Sequence, residues 1–242
     1  MSLAIYRDIH AISDYILMKM VSLSHLKKDK VNIVLSGGKT PLAFFEEISK
    51  KHVYYLINWQ KIHFWWADER CVSYLSKESN YGEAKKAFFD RIPKTNLHFI
   101  NGSLDRSRSI EIYENEIKQI VDLEKEFPVF DWIMLGLGSD GHTASIFPNC
   151  KNLHSKNIVE KSHHPDSGQK RITLTMRTLN NGKSLDFFVL GKEKSSILKK
   201  IICQTTVETS SFPAKFVKPH NGLLTFHTDL PASQLLTDEF IL

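Results

Sequence analysis

Cysteine is scarce in this chain, and what there is stands apart. Cys71, Cys150 and Cys203 form no C-x-x-C pair, which leaves neither a disulfide framework nor a zinc knuckle and fits a reducing, cytoplasmic setting. Long apolar runs are missing too. The first segment mixes Arg7, Asp8, Asp14 and Lys19 with its apolar residues, so no signal peptide is expected, and no window reaches membrane-spanning length. There is also no contiguous basic stripe and no stacked-aromatic module. The formal charge is +5, but pairs such as Lys50-Lys51 and Lys199-Lys200 fall beside or inside expected helices, where a solvated face accounts for them. Small anionic ligands are therefore expected, and nucleic acid is not. Repeats and low-complexity tracts are absent.

What is present suffices for one sizeable core: 242 residues, of which 42% are hydrophobic, are read as a single α/β domain over 1–242. A short strand at Leu3 to Tyr6 precedes a helix from Asp8 to Leu26, whose Ile9, Ile12, Ile16, Met20 and Leu23 recur at helical spacing. Further strands are expected at Val31–Leu35, Lys61–Trp66, Leu97–Ile100, Trp132–Leu135, Leu185–Leu190 and Leu223–His227, with Arg171–Thr175 alternating as a half-exposed strand. Helices are expected at Leu42–Lys50, Ser79–Phe89, Arg106–Phe127, Ser195–Ile202 and Asp229–Leu236. Strand and helix alternate, which indicates a Rossmann-like three-layer sandwich with a mostly parallel central sheet. The polar segment 149–170 reads as a surface excursion with one short strand at Ile158-Val159. Its His154, His163 and His164, near Cys150, match no zinc spacing, so no metal is expected.

Four strand ends carry candidate chemistry. After Val31–Leu35 comes Ser36-Gly37-Gly38-Lys39-Thr40-Pro41, a glycine turn running into a helix start. Such a turn is either a tight structural corner or a cradle in which backbone N–H groups and a helix N-terminus meet an anion. It lacks Walker spacing, and Ser36, Lys39 and Thr40 favour the cradle. After Trp132–Leu135 comes a turn with three glycines, Gly136, Gly138 and Gly141, holding Asp140 and His142. Ligands collect beyond the carboxyl ends of parallel strands, so this acid and imidazole mark a site. Asp68, Glu69 and Arg70 follow the strand ending at Trp66, and are expected to pair with one another, face a ligand or form a solvated loop. Lys194, after Gly191, can reach a phosphate or stay solvated.

Taken together, the chain resembles the 6-phosphogluconolactonase family, related in fold to glucosamine-6-phosphate deaminases, sugar-phosphate isomerases and CoA-transferases. Four blocks carry the resemblance: Ser36 to Pro41; Trp66 to Val72 with Ser79-Asn80; Leu135 to Pro148, which is the most specific; and Arg171 to Leu174 with Gly191 to Lys194. The deaminases typically carry tyrosine after the Asp-Glu pair and an Ala-Phe-Asn run after Asp-Gly-His. Arg70 and Thr143 to Pro148 stand here instead and favour the lactonase. Lys39 and Pro231 depart from the usual pattern without touching the chemistry.

The resemblance implies hydrolysis of 6-phospho-D-glucono-1,5-lactone, a step of the oxidative pentose phosphate pathway. His142 would be the base that takes a proton from water, since an imidazole titrates near neutral pH. Asp140 or Asp68 would orient the imidazole or the water. Arg70, Arg171 and Lys194, with Ser36, Gly37, Gly38, Lys39 and Thr40, would hold the phosphate, Arg70 being a candidate for the oxyanion as well. A monomer needing no cofactor is expected, with a phosphosugar lactone as its partner and neither nucleic acid nor membrane. The rival readings are a phosphosugar deaminase or isomerase of the same fold and a non-catalytic sugar-phosphate sensor.

Overall fold

The structure, a computed structural model, describes residues 1–27, 29–203 and 211–236. In chain order the strands are β1 (Ser2–Tyr6), β2 (Val31–Leu35), β3 (Ile62–Trp66), β4 (Asp68–Arg70), β5 (Asn96–His98), β6 (Leu123–Glu124), β7 (Phe127–Pro128), β8 (Trp132–Gly136), β9 (Val159–His163), β10 (Lys170–Leu174), β11 (Ser184–Val189) and β12 (Leu223–Asp229). The α-helices are α1 (Ile9–Leu26), α2 (Lys39–Ser49), α3 (Asn80–Ala87), α4 (Arg106–Ile120), α5 (Met176–Leu179), α6 (Ser195–Cys203) and α7 (Leu230–Ser233).

Seven strands form one sheet in the order β1-β12-β11-β8-β2-β3-β5, and every pairing within it is parallel. Its central strands β2, β3, β8 and β11 are largely apolar because both faces are covered; all five residues of β2 are buried. The connection from β2 to β3 runs toward the β5 edge, whereas those from β8 to β11 and on to β12 run toward the β1 edge. For the right-handed crossovers that parallel strands take, opposite directions put α2 and α6 on opposite faces. The reversal falls between β8 and β2, the place where an open sheet leaves a crevice beyond its carboxyl ends.

α1 is tied to the sheet by a buried carboxylate. Asp186 on β11, 1% exposed, accepts hydrogen bonds from Tyr15 Oη (2.8 Å) and Lys19 Nζ (2.7 Å) of α1 and from Trp132 Nε1 (2.9 Å) of β8. Burial alone would push this carboxyl up, but His227 and Lys19 outweigh it and hold the group below the usual carboxylate range. On β3, Trp65 and Trp66 are fully buried, and the Tyr113 hydroxyl of α4 both donates to the Trp66 carbonyl and accepts from its N–H, at 2.9 Å each.

Several expectations change. The long helix stops at Ile120, and the chain makes a tight hairpin, β6 to β7, through Lys125 and Glu126, both at positive φ (50° and 70°). Residues 68–70 are a strand, not a loop. With β10 and β9 they make a small antiparallel sheet in the order β4-β10-β9. β10 is buried from Arg171 to Leu174 and not half-exposed, because residues of the Thr143 to Phe147 segment cover it: the Ser145 N–H donates to Thr173 Oγ1 (3.2 Å) and Phe147 packs by Arg171. The 149–170 excursion holds a 3-10 turn at Lys151–His154 and the five-residue β9, longer than the strand foreseen. Helix α2 begins at Lys39, before Pro41, and the closing helix is only Leu230–Ser233.

Candidate active site

The carboxyl ends of four adjacent strands, β11, β8, β2 and β3, meet around one cavity of about 460 Å³. Its lining includes Ser36, Gly37, Gly38, Lys39 and Thr40 after β2, Asp68 and Arg70 of β4, His142 after β8, Arg171 of β10 and Lys194 after β11. Of the residues to which the resemblance gives a role, Asp140 alone stands behind the wall, in contact with His142.

The turn after β8 is built locally. Thr143 Oγ1 donates to the Gly136 carbonyl (2.9 Å), and the Gly138 N–H donates to the His142 carbonyl (2.9 Å), which closes the loop on itself. His142 Nδ1 and Asp140 Oδ1 lie 2.5 Å apart, and the same oxygen accepts the His142 N–H at 3.2 Å. A side chain at Gly138 would put its Cβ 2.1 Å from His142 Nδ1 and 2.6 Å from Asp140 Oδ1, so only glycine admits the pair. Burial by itself would raise the Asp140 carboxyl; the hydrogen bonds and charge of His142 reverse this and hold it below the usual range. With Nδ1 committed to Asp140, Nε2 is the free nitrogen: it has no hydrogen-bond partner among the described residues. His142 is no core residue, since 29% of its side chain is exposed.

Asp68, the other carboxylate considered for orienting the imidazole, does not bond His142. It is buried, accepts from Ser145 Oγ at 2.6 Å and stands 3.9 Å from Arg171 Nη1. In the β4–β10 pairing Arg70 lies directly opposite Arg171. Directly opposed residues of an antiparallel pair share a face, and like charges in that position repel. Strand alternation puts Asp68 on the same face as Arg70 and sends Glu69 to the other. The arginines are only partly engaged: Arg70 Nη1 donates to the Glu78 carbonyl (2.5 Å), Arg171 Nη1 reaches Ser145 Oγ at 3.4 Å, and both Nε atoms are buried without a hydrogen-bond partner. Arg171 and His142 stand against the same Phe147 ring, at 5.8 Å and 4.8 Å from its centre, so imidazole and guanidinium are neighbours.

On the opposite wall, Ser36 Oγ donates to the Met134 carbonyl (2.9 Å) and ties the end of β2 to β8. Gly38, at φ 104°, precedes α2 with no side-chain cap, which leaves the first N–H groups of that helix without the partner a capping residue gives. A Cβ on Gly37 would fall 1.8 Å from Asn80 Oδ1. Lys194 Nζ donates to the Leu137 carbonyl (2.8 Å) and so braces the His142 loop while it lines the cavity.

Asn80, Ser145 and Glu193 were not foreseen as site residues. Asn80 and Glu193 line the cavity, and Ser145 backs it through Asp68. Glu69 is not paired with its charged neighbours; it turns away from the cavity and is buried against the start of α3. Among the described residues no group of three or more His, Cys, Asp or Glu side chains could hold a metal ion, and His163 instead meets Arg106 Nη1 at 3.1 Å.

Residues 9–226 match the family described as glucosamine-6-phosphate isomerases/6-phosphogluconolactonase. The 6-phosphogluconolactonase of Haemophilus influenzae is 40% identical over 230 residues, covering 94% of this chain and 96% of that one. That of Thermotoga maritima is 36% identical over 196 residues, 79% of this chain and 81% of its own. Among solved structures, the devB protein superposes with a TM-score of 0.92 at 34% identity over 98% of this chain and 99% of its own. A monomeric glucosamine-6-phosphate deaminase superposes at 0.79 and 21% identity over 97% of this chain and the whole of the other, a likeness of fold. The chain belongs to the glucosamine-6-phosphate isomerase/6-phosphogluconolactonase family.

Proposed function

We propose that this protein hydrolyses 6-phospho-D-glucono-1,5-lactone to 6-phospho-D-gluconate, the lactone-opening step of the oxidative pentose phosphate pathway; its relatives of Haemophilus influenzae and Thermotoga maritima, both named 6-phosphogluconolactonase, support the reading. The observation that carries the reading is the placement of two opposed arginines and a carboxylate-bound imidazole around one cavity. Arg70 and Arg171 repel each other and each keeps a donor without a partner, a cost that an anion between them offsets. A phosphate dianion also suits the uncapped start of α2 and the Lys194 ammonium. The phosphate end is thereby fixed, and the lactone carbonyl falls toward His142.

Asp140 holds His142 Nδ1, which leaves Nε2 to take a proton from a water molecule as the water oxygen attacks the lactone carbonyl carbon. A tetrahedral oxyanion forms. On its collapse the bond from the carbonyl carbon to the ring oxygen breaks, and the imidazolium returns its proton to that oxygen, giving the open-chain acid. The acid ionises at neutral pH. Asp140 stabilises the imidazolium formed midway, as a carboxylate partner of a catalytic histidine does. Asp68 acts on the anion side, holding Ser145 and lying beside Arg171.

Lactone consumption measured beside the uncatalysed opening tests the reading, because these lactones also hydrolyse unaided. Turnover well above the background is expected, with no ammonia released from glucosamine 6-phosphate. Ammonia release would favour the deaminase, and binding of 6-phosphogluconate without turnover would favour a sensor. A monomer is the proposed state, which size-exclusion chromatography with light scattering checks.

A further inference from the structure

Glu69 is the most fully bonded carboxylate at the site and the only charged residue of β4 that faces away from the cavity. It is 2% exposed. Oε1 accepts the N–H groups of Arg70 (2.7 Å) and Asn80 (2.8 Å), and Oε2 accepts the Tyr81 N–H (2.9 Å) and the Ser79 hydroxyl (2.9 Å). A carboxylate offers about four acceptor sites; here each is used. Two of the donors belong to the first turn of α3 and one to its N-cap, Ser79, while the fourth is the backbone of the strand that carries Arg70. One buried anion therefore joins β4 to α3.

Two of the groups that this junction fixes, Asn80 and Arg70, line the cavity. Asn80 bridges to the Asp68 carbonyl through Nδ2 (2.9 Å) and fills the space that Gly37 leaves open. The guanidinium of Arg70 is anchored on the Glu78 carbonyl, directly before Ser79, so the backbone of Arg70 and the anchor of its side chain hang on the same carboxylate. We infer that Glu69 is a positioning residue for anion binding: without touching substrate, it sets where the Arg70 guanidinium and the Gly37 turn stand. The inference rests on the reading of Arg70 as a phosphate ligand.

Glutamine is the informative replacement, because its amide would turn two N–H groups toward groups that are themselves donors. In the full chain, Glu69→Gln should raise KM for the lactone and Kd for 6-phosphogluconate about tenfold, with kcat within about threefold, as for loss of ground-state binding. Some loss of Tm is expected as well, so Asp105→Ala supplies a control: Asp105 caps α4 through Ser107 and Arg108, in a helix start that does not line the cavity, and alanine removes the cap. That variant should lower Tm and leave KM unchanged. Should Glu69→Gln not fold, Ser79→Ala removes one of the four bonds and should raise KM about two- to threefold. An unchanged KM in Glu69→Gln or, where that variant does not fold, in Ser79→Ala, or an equal KM rise in Asp105→Ala, overturns the inference. If the unmodified chain does not hydrolyse the lactone at all, the functional reading falls, and this one with it.

Discussion

The two walls of the cavity are made in different ways. The imidazole wall is almost self-sufficient: Asp140, His142, Gly138, Gly136 and Thr143 hold one another within a span of eight residues. The anion wall is assembled from afar. Arg70 and Arg171 are a hundred residues apart in the chain and meet only because β4 pairs with β10, while the Gly37 turn is set by Asn80 and Lys194 arrives from the end of β11. A short loop on a rigid strand can fix one base. The donors that would grip a dianion here come from several elements: the turn after β2, the paired strands β4 and β10, and the end of β11.

The same difference decides what could be read from the chain. Asp140-Gly141-His142 after a buried strand announces itself, because the contacts that make the site are the neighbours in sequence. The strands β2, β8 and β11 were legible for a related reason: a strand buried on both faces is written as an apolar run. Residues 68–70 gave no such signal. Asp-Glu-Arg has poor strand propensity, and it becomes a strand through tertiary pairing with β10 and the four donors that bury Glu69. The end of α4 was illegible because Lys125 and Glu126 take positive φ without the glycine or asparagine that usually marks such a turn. Leu123, three residues after Ile120, then continues the helical spacing past the true end. Which carboxylate meets His142 also needed coordinates, since Asp68 and Asp140 were equally plausible until Asp68 was found bonded to Ser145.

If the walls divide chemistry from anchoring, substitutions on them should split kcat from KM. The largest effect belongs to the base. His142→Ala should lower kcat by about 10²–10⁴-fold, the usual worth of general-base help, while the Kd for 6-phosphogluconate measured by calorimetry stays near that of the unmodified chain. Retention of most turnover would remove His142 from the role. Asp140→Asn comes next: an amide can still meet Nδ1, but it withdraws the charge that stabilises the imidazolium, and kcat should drop on the order of 10–10²-fold with KM little changed. A KM effect larger than the kcat effect there would erase the division between the walls.

On the anion side, Arg171→Ala should raise KM by about tenfold and leave kcat close to its starting value, as expected when a charge-assisted contact to a spectator phosphate is lost. Steady-state kinetics over a range of lactone concentrations separates the two parameters. The opposed pair adds a finer expectation. Because Arg70 and Arg171 repel in the empty site, removing one relieves the other, so Arg171→Ala should cost little or no Tm in the absence of ligand. A large loss of Tm, found by thermal unfolding without phosphosugar, would mean that Arg171 serves the fold through Asp68 and Ser145 and is not held in reserve for an anion.

The smallest effect concerns neither wall, and it guards the comparison against a confusion. Activity lost in acid has two sources, protonation of a catalytic imidazole and unfolding, and the second has a recognisable source on β3. His63 Nδ1 lies 2.8 Å from His98 Nε2, and His98 Nδ1 lies 2.6 Å from Glu116 Oε1. Burial first, then the neighbouring His98 and Lys30, pulls His63 down to about 4 from the ordinary 6.5. Between those two values the unfolded chain binds a proton that the folded one refuses, so stability falls as pH falls from 6.5 to about 4 and is untouched by this residue above 6.5. In His63→Asn the fall of Tm over that window should be shallower than in the unmodified chain, and kcat/KM at pH 7.5 should be the same in both. Parallel Tm curves would show that this histidine does not report on the acid limit of the fold, and the acid loss of turnover would then have to be apportioned between the two walls by kcat and KM alone.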